Sequence, residues 1–315
     1  LVVLGHIVAR NPPTGNDWYL YLKHAIYLFH MPFFMYLSGY VSFLTGGMNE
    51  GPSRWIELAK KRATRLLVPF FLFGLAVIAG KLALGRYLTI DNLPESASQA
   101  LIGLVWRTDN SPSESVWHLP VLFVLSVITP PLLHILRGNH WWLLVFALLL
   151  YIAPVPHRAY LNRVAQFYVF YVLGGIAATM GASWDAKIDK QLLMWNLSFV
   201  ASIFGFMFLG AHIGTGLVLL VCGSLSAPAL HGIVRNTMLS TSPALLYLGT
   251  YSFVVYLLNT PCIGLAKGVG LKLLSWDGPN FLLFVPILLA SGVLAPIFIK
   301  RLIFKRSRIL DRITD

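Results

Sequence analysis

The sequence predicts an all-α fold, a polytopic bundle of transmembrane helices, and two features of its composition support this. Of the 315 residues, 57% are hydrophobic and only 11% are charged, whereas soluble domains carry about 25% charged residues. The apolar residues are gathered into stretches, several of which approach the roughly 20 residues needed to cross the hydrocarbon. At roughly 30 residues per span and loop, the chain has room for about ten spans. Residues 1–315 are therefore interpreted as one membrane-embedded domain.

The apolar stretches follow one another along the chain with short polar links between them. The first is too short to cross a bilayer and is interpreted as a first helix truncated at the N-terminus. The link 211–215 is short enough to predict a tight hairpin. Because backbone polar groups cannot stay unpaired in hydrocarbon, each stretch is predicted to be helical. The stretches are 1–9, 24–44, 66–84, 117–136, 141–155, 164–181, 192–211, 214–230, 244–264 and 280–299.

The basic residues predict the orientation of the bundle in the cell membrane. The segments 45–65, 137–140, 182–191 and 231–243 and the tail after residue 299 hold 15 of the 24 lysines and arginines. Because cytoplasmic loops are enriched in Lys and Arg, these segments and the C-terminus are predicted to be cytoplasmic. A net charge of +12 would suggest nucleic acid in a soluble protein, but its restriction to alternate loops indicates membrane topology, and no nucleic-acid partner is expected.

The loops and cysteines add two expectations. The longest external loop, 85–116, is polar, and it could cover an outward-facing site or be an ordinary surface loop. Cys222 and Cys262 both lie in apolar stretches and are predicted to be small buried side chains. Two such cysteines form neither a disulfide framework nor a CxxC metal site, and no metal is expected.

Two histidines fall within predicted spans, where ionisable side chains are costly and suggest a function. His6 lies near the outer end of the first stretch, and neutral imidazole is the usual general base near pH 7. His30 lies about two turns into the second span, just before Met31 and Pro32; the proline frees a backbone carbonyl one turn earlier. Either histidine could instead be a polar group hydrogen-bonded within the bundle. Both are predicted as candidate catalytic residues.

A basic run precedes the third stretch at its cytoplasmic end. It contains Lys61, Arg62 and Arg65, and the three-residue spacing places the two guanidinium groups on one face of a helix. Such a fork suits a phosphate group, although the same residues could serve only to anchor the helix at the membrane surface. The sequence has no P-loop or Rossmann glycine motif, so a nucleotide would be bound in another way.

Further positions near the outer ends of spans carry aromatic or polar groups. Trp117 and His118 open the fourth span, where tryptophan is ordinarily enriched, and they are candidate substrate-binding residues. Asn259 lies near the outer end of the ninth span; it is expected to find a hydrogen-bond partner within the bundle and is a candidate catalytic residue. By contrast, the small residues Ser38 and Gly39 predict close packing between helices.

Six segments occur in an order typical of one family, and they span nearly the whole chain. On these segments the chain resembles the acyltransferase 3 family of integral membrane acyltransferases. It is most similar to the branch of membrane sugar O-acetylases that includes fucose 4-O-acetylase-like proteins. The segments are LGH at 4–6, FHMPFFMYLSGY at 29–40, KRATRLLVP at 61–69, WHLPVLF at 117–123, FYVFYVLG at 167–174 and LGTYSFVVYL at 248–257.

The resemblance implies transfer of an acyl group, usually acetyl from acetyl-CoA, to a hydroxyl of a cell-envelope carbohydrate or lipid-linked sugar. The histidine of the family's first helix corresponds to His6, which would take the proton from the acceptor hydroxyl. The family's RxxR pair corresponds to Arg62 and Arg65, which would bind the CoA phosphates at the cytoplasmic mouth. Acetyl-CoA is thus the expected acyl donor.

The oxyanion formed during acyl transfer needs hydrogen-bond donors, and His30, Trp117 and Asn259 are candidates. Three positions depart from the family. The arginine that often stands eleven residues before the first histidine would precede residue 1, and His118 replaces the phenylalanine of a common Trp-Phe-Leu. Asn259 stands where the family commonly has a histidine; an amide can donate a hydrogen bond but cannot act as a base.

Two other classes of function are consistent with a membrane bundle. A transporter or flippase for an envelope glycan precursor would predict paired or acidic charges at mid-membrane and often a repeated half. The predicted spans are nearly free of acidic residues and show no repeat. A structural or regulatory membrane protein built on the same bundle is favoured by Asn259 in place of the family histidine.

Overall fold

A computed structural model describes residues 1–9, 11–48, 50–209 and 214–314. Every regular element among these residues is helical, which confirms the predicted fold class. The helices are α1 (Val2–Gly5), α2 (Asp17–Tyr27), α3 (His30–Leu44), α4 (Trp55–Leu84), α5 (Ala97–Val105), α6 (His118–Ile135), α7 (His140–Ile152), α8 (Leu161–Met180), α9 (Ala182–Lys190), α10 (Leu192–Leu209), α11 (Thr215–Asn236), α12 (Pro243–Thr250), α13 (Ser252–Gly270), α14 (Phe281–Leu302) and α15 (Arg308–Ile313).

Six helices among the described residues are long and apolar enough to cross a membrane. Two further apolar helices, His140–Ile152 and Leu192–Met207, are shorter. The remaining predicted stretches, 1–9 and 24–44, contain only shorter helices. The helices of spanning length are Pro52–Leu84, His118–Ile135, Leu161–Met180, Thr215–Asn236, Ser252–Gly270 and Gly278–Arg306.

Two predicted spans are interrupted. The stretch 24–44 breaks at Leu28 and Phe29, so that His30 begins a new helix. Pro32 falls in the first turn of α3, the place where a proline without an N–H is tolerated. The stretch 244–264 breaks at Tyr251, between α12 and α13. The predicted hairpin at 211–215 falls largely on residues 210–213, which lie outside the described part of the chain.

The segment 85–116 is not a plain loop, because it contains α5 and is tied to the bundle. The Lys81 ammonium donates to the Asp91 carbonyl at 2.8 Å. The Asp91 carboxylate pairs with Lys267 of α13 at 2.7 Å, and the Lys267 side chain is only 8% exposed. The Tyr160 hydroxyl donates to the Leu104 carbonyl at 2.9 Å. These bonds hold the segment over one end of the bundle.

The centre of the bundle is the crossing of α3 and α8. A Cβ built on Gly39 would lie 1.9 Å from the Tyr171 carbonyl oxygen, and one on Gly174 would lie 1.9 Å from the Tyr36 carbonyl oxygen. The two backbones are therefore in direct contact, which only glycine permits at these positions. The packing role predicted for the small residues around Gly39 is confirmed.

One contact at each end of the bundle shows which helix ends and connecting segments lie together, and both contacts agree with the alternation of spans. On one face, Trp55 at the start of α4 packs on His134 at the end of α6, with ring centroids 5.7 Å apart. On the other, the Gly278 N–H donates to the Thr14 carbonyl at 3.0 Å. We call the end of the bundle that holds Trp55, His134 and the segments predicted to be cytoplasmic the basic face, and the end that holds Thr14, Gly278 and the segment 85–116 the opposite face.

Candidate active site

The position of His6 is set by hydrogen bonds from α2 to the chain around α1. Helix α1 ends at Gly5, and His6 follows it as the C-cap. The Tyr27 hydroxyl donates to the Gly5 carbonyl at 3.0 Å, and the Lys23 ammonium donates to the Val8 carbonyl at 2.6 Å. Because the carbonyls just past a short helix lack helical partners, these side chains satisfy them and fix His6 beside α2.

Three of the predicted site histidines lie in one cluster, together with a tyrosine. The rings of His6 and Tyr27 are 6.2 Å apart in an edge-on arrangement, and those of Tyr27 and His30 are 4.9 Å apart. His30 is buried, and Phe34, one turn further along α3, packs on the His118 ring with the centroids 6.4 Å apart. We call His6, Tyr27, His30 and His118 the histidine cluster. His6 at the C-cap of α1 and residues from α2, α3 and α6 thus converge on one place.

The tautomer of His30 is determined by its hydrogen bond. Its Nδ1 lies 2.8 Å from the Ile26 carbonyl oxygen, and a carbonyl oxygen can only accept. Nδ1 therefore carries the proton, and Nε2 of the neutral ring is an acceptor. In this state His30 has no proton left to donate to a substrate from Nε2.

His118 begins α6 and is surrounded by aromatic rings. Its ring centroid lies 6.4 Å from that of Phe34 and 5.9 Å from that of Tyr256. Both His118 Nε2 and the Tyr256 hydroxyl oxygen are buried without a hydrogen-bond partner. Tyr256 lies in the matching segment 248–257, but sequence reasoning missed its role, because an unpaired buried hydroxyl is visible only in three dimensions.

Trp117 precedes His118 and packs inward. Its ring lies 5.2 Å from that of Phe167, and the Arg163 guanidinium lies 4.8 Å from its centroid in a cation–π arrangement. Arg163 and Tyr27 were also missed from the sequence, because their pattern resembles that of ordinary residues near helix ends. The Trp117 indole thus forms one wall beside the histidine cluster.

Asn259 is buried, 1% exposed, and its hydrogen bonds are made within its own helix. Its amide nitrogen donates to the Val255 carbonyl at 2.9 Å and to the Tyr256 carbonyl at 2.7 Å. The amide oxygen accepts from the Thr260 hydroxyl at 3.1 Å. Both amide protons are therefore used within α13, and the partners expected within the bundle are carbonyls of the same helix.

The basic run lies away from the histidine cluster, in the first half of α4. The Arg62 side chain is half-buried, and a Cβ on Gly47 would lie 3.8 Å from its Nη2. Arg62 also interacts electrostatically with Tyr171. Lys61 and Arg65 are exposed. The run is thus located at the basic face, next to the segment that follows α3.

Helix α3 connects the two groups of predicted residues. His30 is its first residue and Leu44 its last, a distance of roughly 21 Å at a rise of 1.5 Å per residue. The histidine cluster is at the first end, and Arg62 lies beside Gly47, just past the second. The structure therefore gathers His6, His30 and His118 and places the basic run toward the far end of α3.

Two surface pockets lie elsewhere. One of about 430 Å³ is at the basic face between the ends of α6 and α7, and includes Arg137 and Trp142. The other, of about 360 Å³, lies in the segment 92–112 and includes Glu95 and Arg107. Neither is lined by the residues predicted for the site. Within the described residues, no group of three His, Cys, Asp or Glu side chains could hold a metal ion.

Comparison with known proteins identifies the family. A family model described as an acyltransferase domain, that of acyltransferase 3, matches residues 1–301. The chain is 26% identical over 212 residues to the nodulation protein NolL of Sinorhizobium fredii (strain NBRC 101917 / NGR234). That alignment covers 64% of this chain and 52% of the relative, so the chain spans about half the length of the curated protein it matches. No solved structure matches it significantly. The chain is a multi-pass membrane protein that belongs to the acyltransferase 3 family.

Proposed function

We propose that this protein transfers an acetyl group from acetyl-CoA to a hydroxyl of a cell-envelope carbohydrate or lipid-linked sugar. The observation that carries the proposal is the histidine cluster, formed in a member of the acyltransferase 3 family by His6 at the C-cap of α1 and by residues of three further helices. Ionisable side chains brought together inside a membrane bundle are costly unless they serve a function. We propose that residues 1–315 form one functional domain in the lipid bilayer.

His6 is the general base. It takes the proton of the acceptor hydroxyl as the hydroxyl oxygen attacks the thioester carbonyl carbon. The bonds that hold the chain on either side of His6 to Tyr27 and Lys23 support this role, because a base must be held in position before the substrate arrives. His30, with its Nε2 unprotonated, is a second catalytic group that can accept a hydrogen bond from the acceptor or from water.

Lys61, Arg62 and Arg65 bind the phosphates of acetyl-CoA at the basic face. A guanidinium pair and an ammonium group suit phosphate oxygens. Helix α3 runs between this end and the histidine cluster, so the thioester arm would extend along it, while the acceptor approaches His118 and Trp117. With the basic face in the cytoplasm, the C-terminus would be cytoplasmic as well.

The test is transfer of labelled acetyl from acetyl-CoA into the envelope carbohydrate of membranes that contain the protein. His6→Ala should lower the transfer rate about 10²- to 10⁴-fold, because general base catalysis contributes that much. His24→Ala is the matched control, since His24 is an exposed histidine on α2. Normal transfer by His6→Ala would contradict the role of His6. No transfer by the wild type to any envelope acceptor would favour the transporter, flippase or structural alternatives.

A further inference from the structure

We infer that the Tyr256 hydroxyl and His118 Nε2 bind the carbonyl oxygen of the acyl group and stabilise the oxyanion that forms when the acceptor attacks. The inference rests on the proposed acyl transfer and adds the groups on which the charge develops. Neither role follows from the matching sequence segments, in which Tyr256 is one aromatic residue among many.

The Tyr256 hydroxyl oxygen and His118 Nε2 are in the same hydrogen-bonding state. Both are buried, and neither has a hydrogen-bond partner in the structure. A buried polar atom without a partner is unfavourable, so it needs a compensating ligand or a functional reason. Other buried polar atoms also lack partners, but these two belong to rings in contact, with centroids 5.9 Å apart.

Two of the other candidate donors, those of Asn259 and His30, are already used. Asn259 gives both amide protons to carbonyls of its own helix. His30 gives its Nδ1 proton to the Ile26 carbonyl. An oxyanion needs donors that are free when it forms. The Tyr256 hydroxyl meets that condition, and His118 Nε2 meets it in the tautomer that carries the proton on Nε2.

The surroundings of His118 are apolar. His118 packs against Phe34 and Trp117, and an apolar environment strengthens a hydrogen bond to a developing charge. Phe34 stands one turn after His30 on α3, so these donors lie in the same cluster as the proposed base. A base and oxyanion donors around one point are the arrangement that acyl transfer requires.

The chemical step balances with these residues. The acceptor oxygen forms a bond to the thioester carbonyl carbon while its proton passes to His6. The carbonyl electron pair moves onto oxygen, where it accepts hydrogen bonds from Tyr256 and His118. The pair on oxygen then returns to re-form the carbonyl, the carbon–sulfur bond breaks, and the bonding pair leaves with the CoA sulfur as a thiolate, which takes the proton from His6.

The experiment compares Tyr256→Phe, His118→Phe and His118→Gln with the wild type in membranes, using labelled acetyl-CoA and extracted envelope carbohydrate. Loss of one oxyanion donor should lower kcat about 10²-fold and leave the KM for acetyl-CoA within about twofold, because the interaction is made only in the transition state. His118→Gln keeps an N–H donor and should retain more activity than His118→Phe. Tyr247→Phe removes an exposed phenolic hydroxyl at the basic face and serves as control.

Thermal unfolding separates this role from a structural one. Removing a hydroxyl that makes no hydrogen bond should leave the Tm of Tyr256→Phe unchanged or raise it. A lowered Tm with a proportional loss of activity would overturn the inference, and so would wild-type kcat in both phenylalanine variants while His6→Ala is inactive. If His6→Ala is fully active, or the wild type transfers no acetyl, the proposed function fails instead.

Discussion

Arg62 and Arg65 stand three residues apart on α4 but meet different surroundings. Arg62 is half-buried beside Gly47 and interacts electrostatically with Tyr171, whereas Arg65 is exposed. In the proposed function both hold phosphates, and the inward-facing Arg62 is in the better position to direct the donor into the bundle. A guanidinium that serves only to anchor the helix would have no effect on the donor.

The double variant Arg62→Ala with Arg65→Ala should raise the KM for acetyl-CoA about 10- to 100-fold with little change in kcat, because each hydrogen bond to a charged group contributes about 1.5–3 kcal/mol and Arg65 is partly screened by solvent. The measurement is the KM for acetyl-CoA and for acetyl-dephospho-CoA, which lacks one phosphate. Arg54→Ala is the matched control, since Arg54 is exposed and pairs with Glu50 at 3.3 Å. An unchanged KM would assign the pair to membrane anchoring.

At the scale of helices, the crossing of α3 and α8 determines where the site residues lie. Helix α3 begins at His30, and its middle touches α8 backbone to backbone at Gly39 and Gly174. Movement of α3 would therefore displace His30 from the histidine cluster and the segment around Gly47 from Arg62. By fixing the position of α3, Gly39 and Gly174 also fix the positions of residues that the proposed function needs.

Gly39→Ala or Gly174→Ala should destabilise the protein by about 3 kcal/mol or more, because the new Cβ meets a backbone carbonyl that cannot rotate away. The measurement is the Tm of the purified protein. Gly264→Ala is a control with the same chemistry on α13, where a Cβ meets nothing within 4 Å. That change should be neutral or stabilising by up to about 1 kcal/mol. Equal Tm values for Gly39→Ala and Gly264→Ala would contradict the close crossing.

At the scale of helices, sequence patterns did not predict every helix or every helix boundary. Hydropathy located the stretch 24–44 but not its break at Leu28 and Phe29, because an apolar run has the same average whether it forms one helix or two. Polarity predicted a loop at 85–116, yet α5 forms there and the segment is held by the Lys267–Asp91 pair. Such an ion pair joins residues far apart in the chain and has no local signal.

For the whole molecule, Trp55 meets His134 on the basic face and Gly278 meets Thr14 on the opposite face, which agrees with the predicted alternation of spans. The direction of the bundle in the membrane is a prediction from the positive charges. The basic face holds the tail, where the Lys300 ammonium is paired with Asp311 at 2.8 Å. The remaining basic residues of the tail would face lipid headgroups at the cytoplasmic surface.

Cysteine labelling of intact cells tests this orientation. Ser98→Cys on the opposite face should react with a membrane-impermeant maleimide, whereas Ser53→Cys on the basic face should react only after permeabilisation. Both serines are exposed, and the native Cys222 and Cys262 are buried, so background labelling should be low. The unmodified protein is the control, and the reverse pattern of labelling would invert the topology.

The sequence by itself determined the all-helical membrane fold, predicted the two faces and identified His6, His30 and His118 as candidate site residues. It could do so because composition, charge and the order of segments are properties of the chain. Only the tertiary structure decided that these histidines converge and that Asn259 donates its amide protons to carbonyls of its own helix. It also decided that the Tyr256 hydroxyl and His118 Nε2 have no hydrogen-bond partner. The physical reason is that a hydrogen bond depends on the position of two atoms to within a few tenths of an ångström. Residues distant in sequence reach such positions only through the packing of helices.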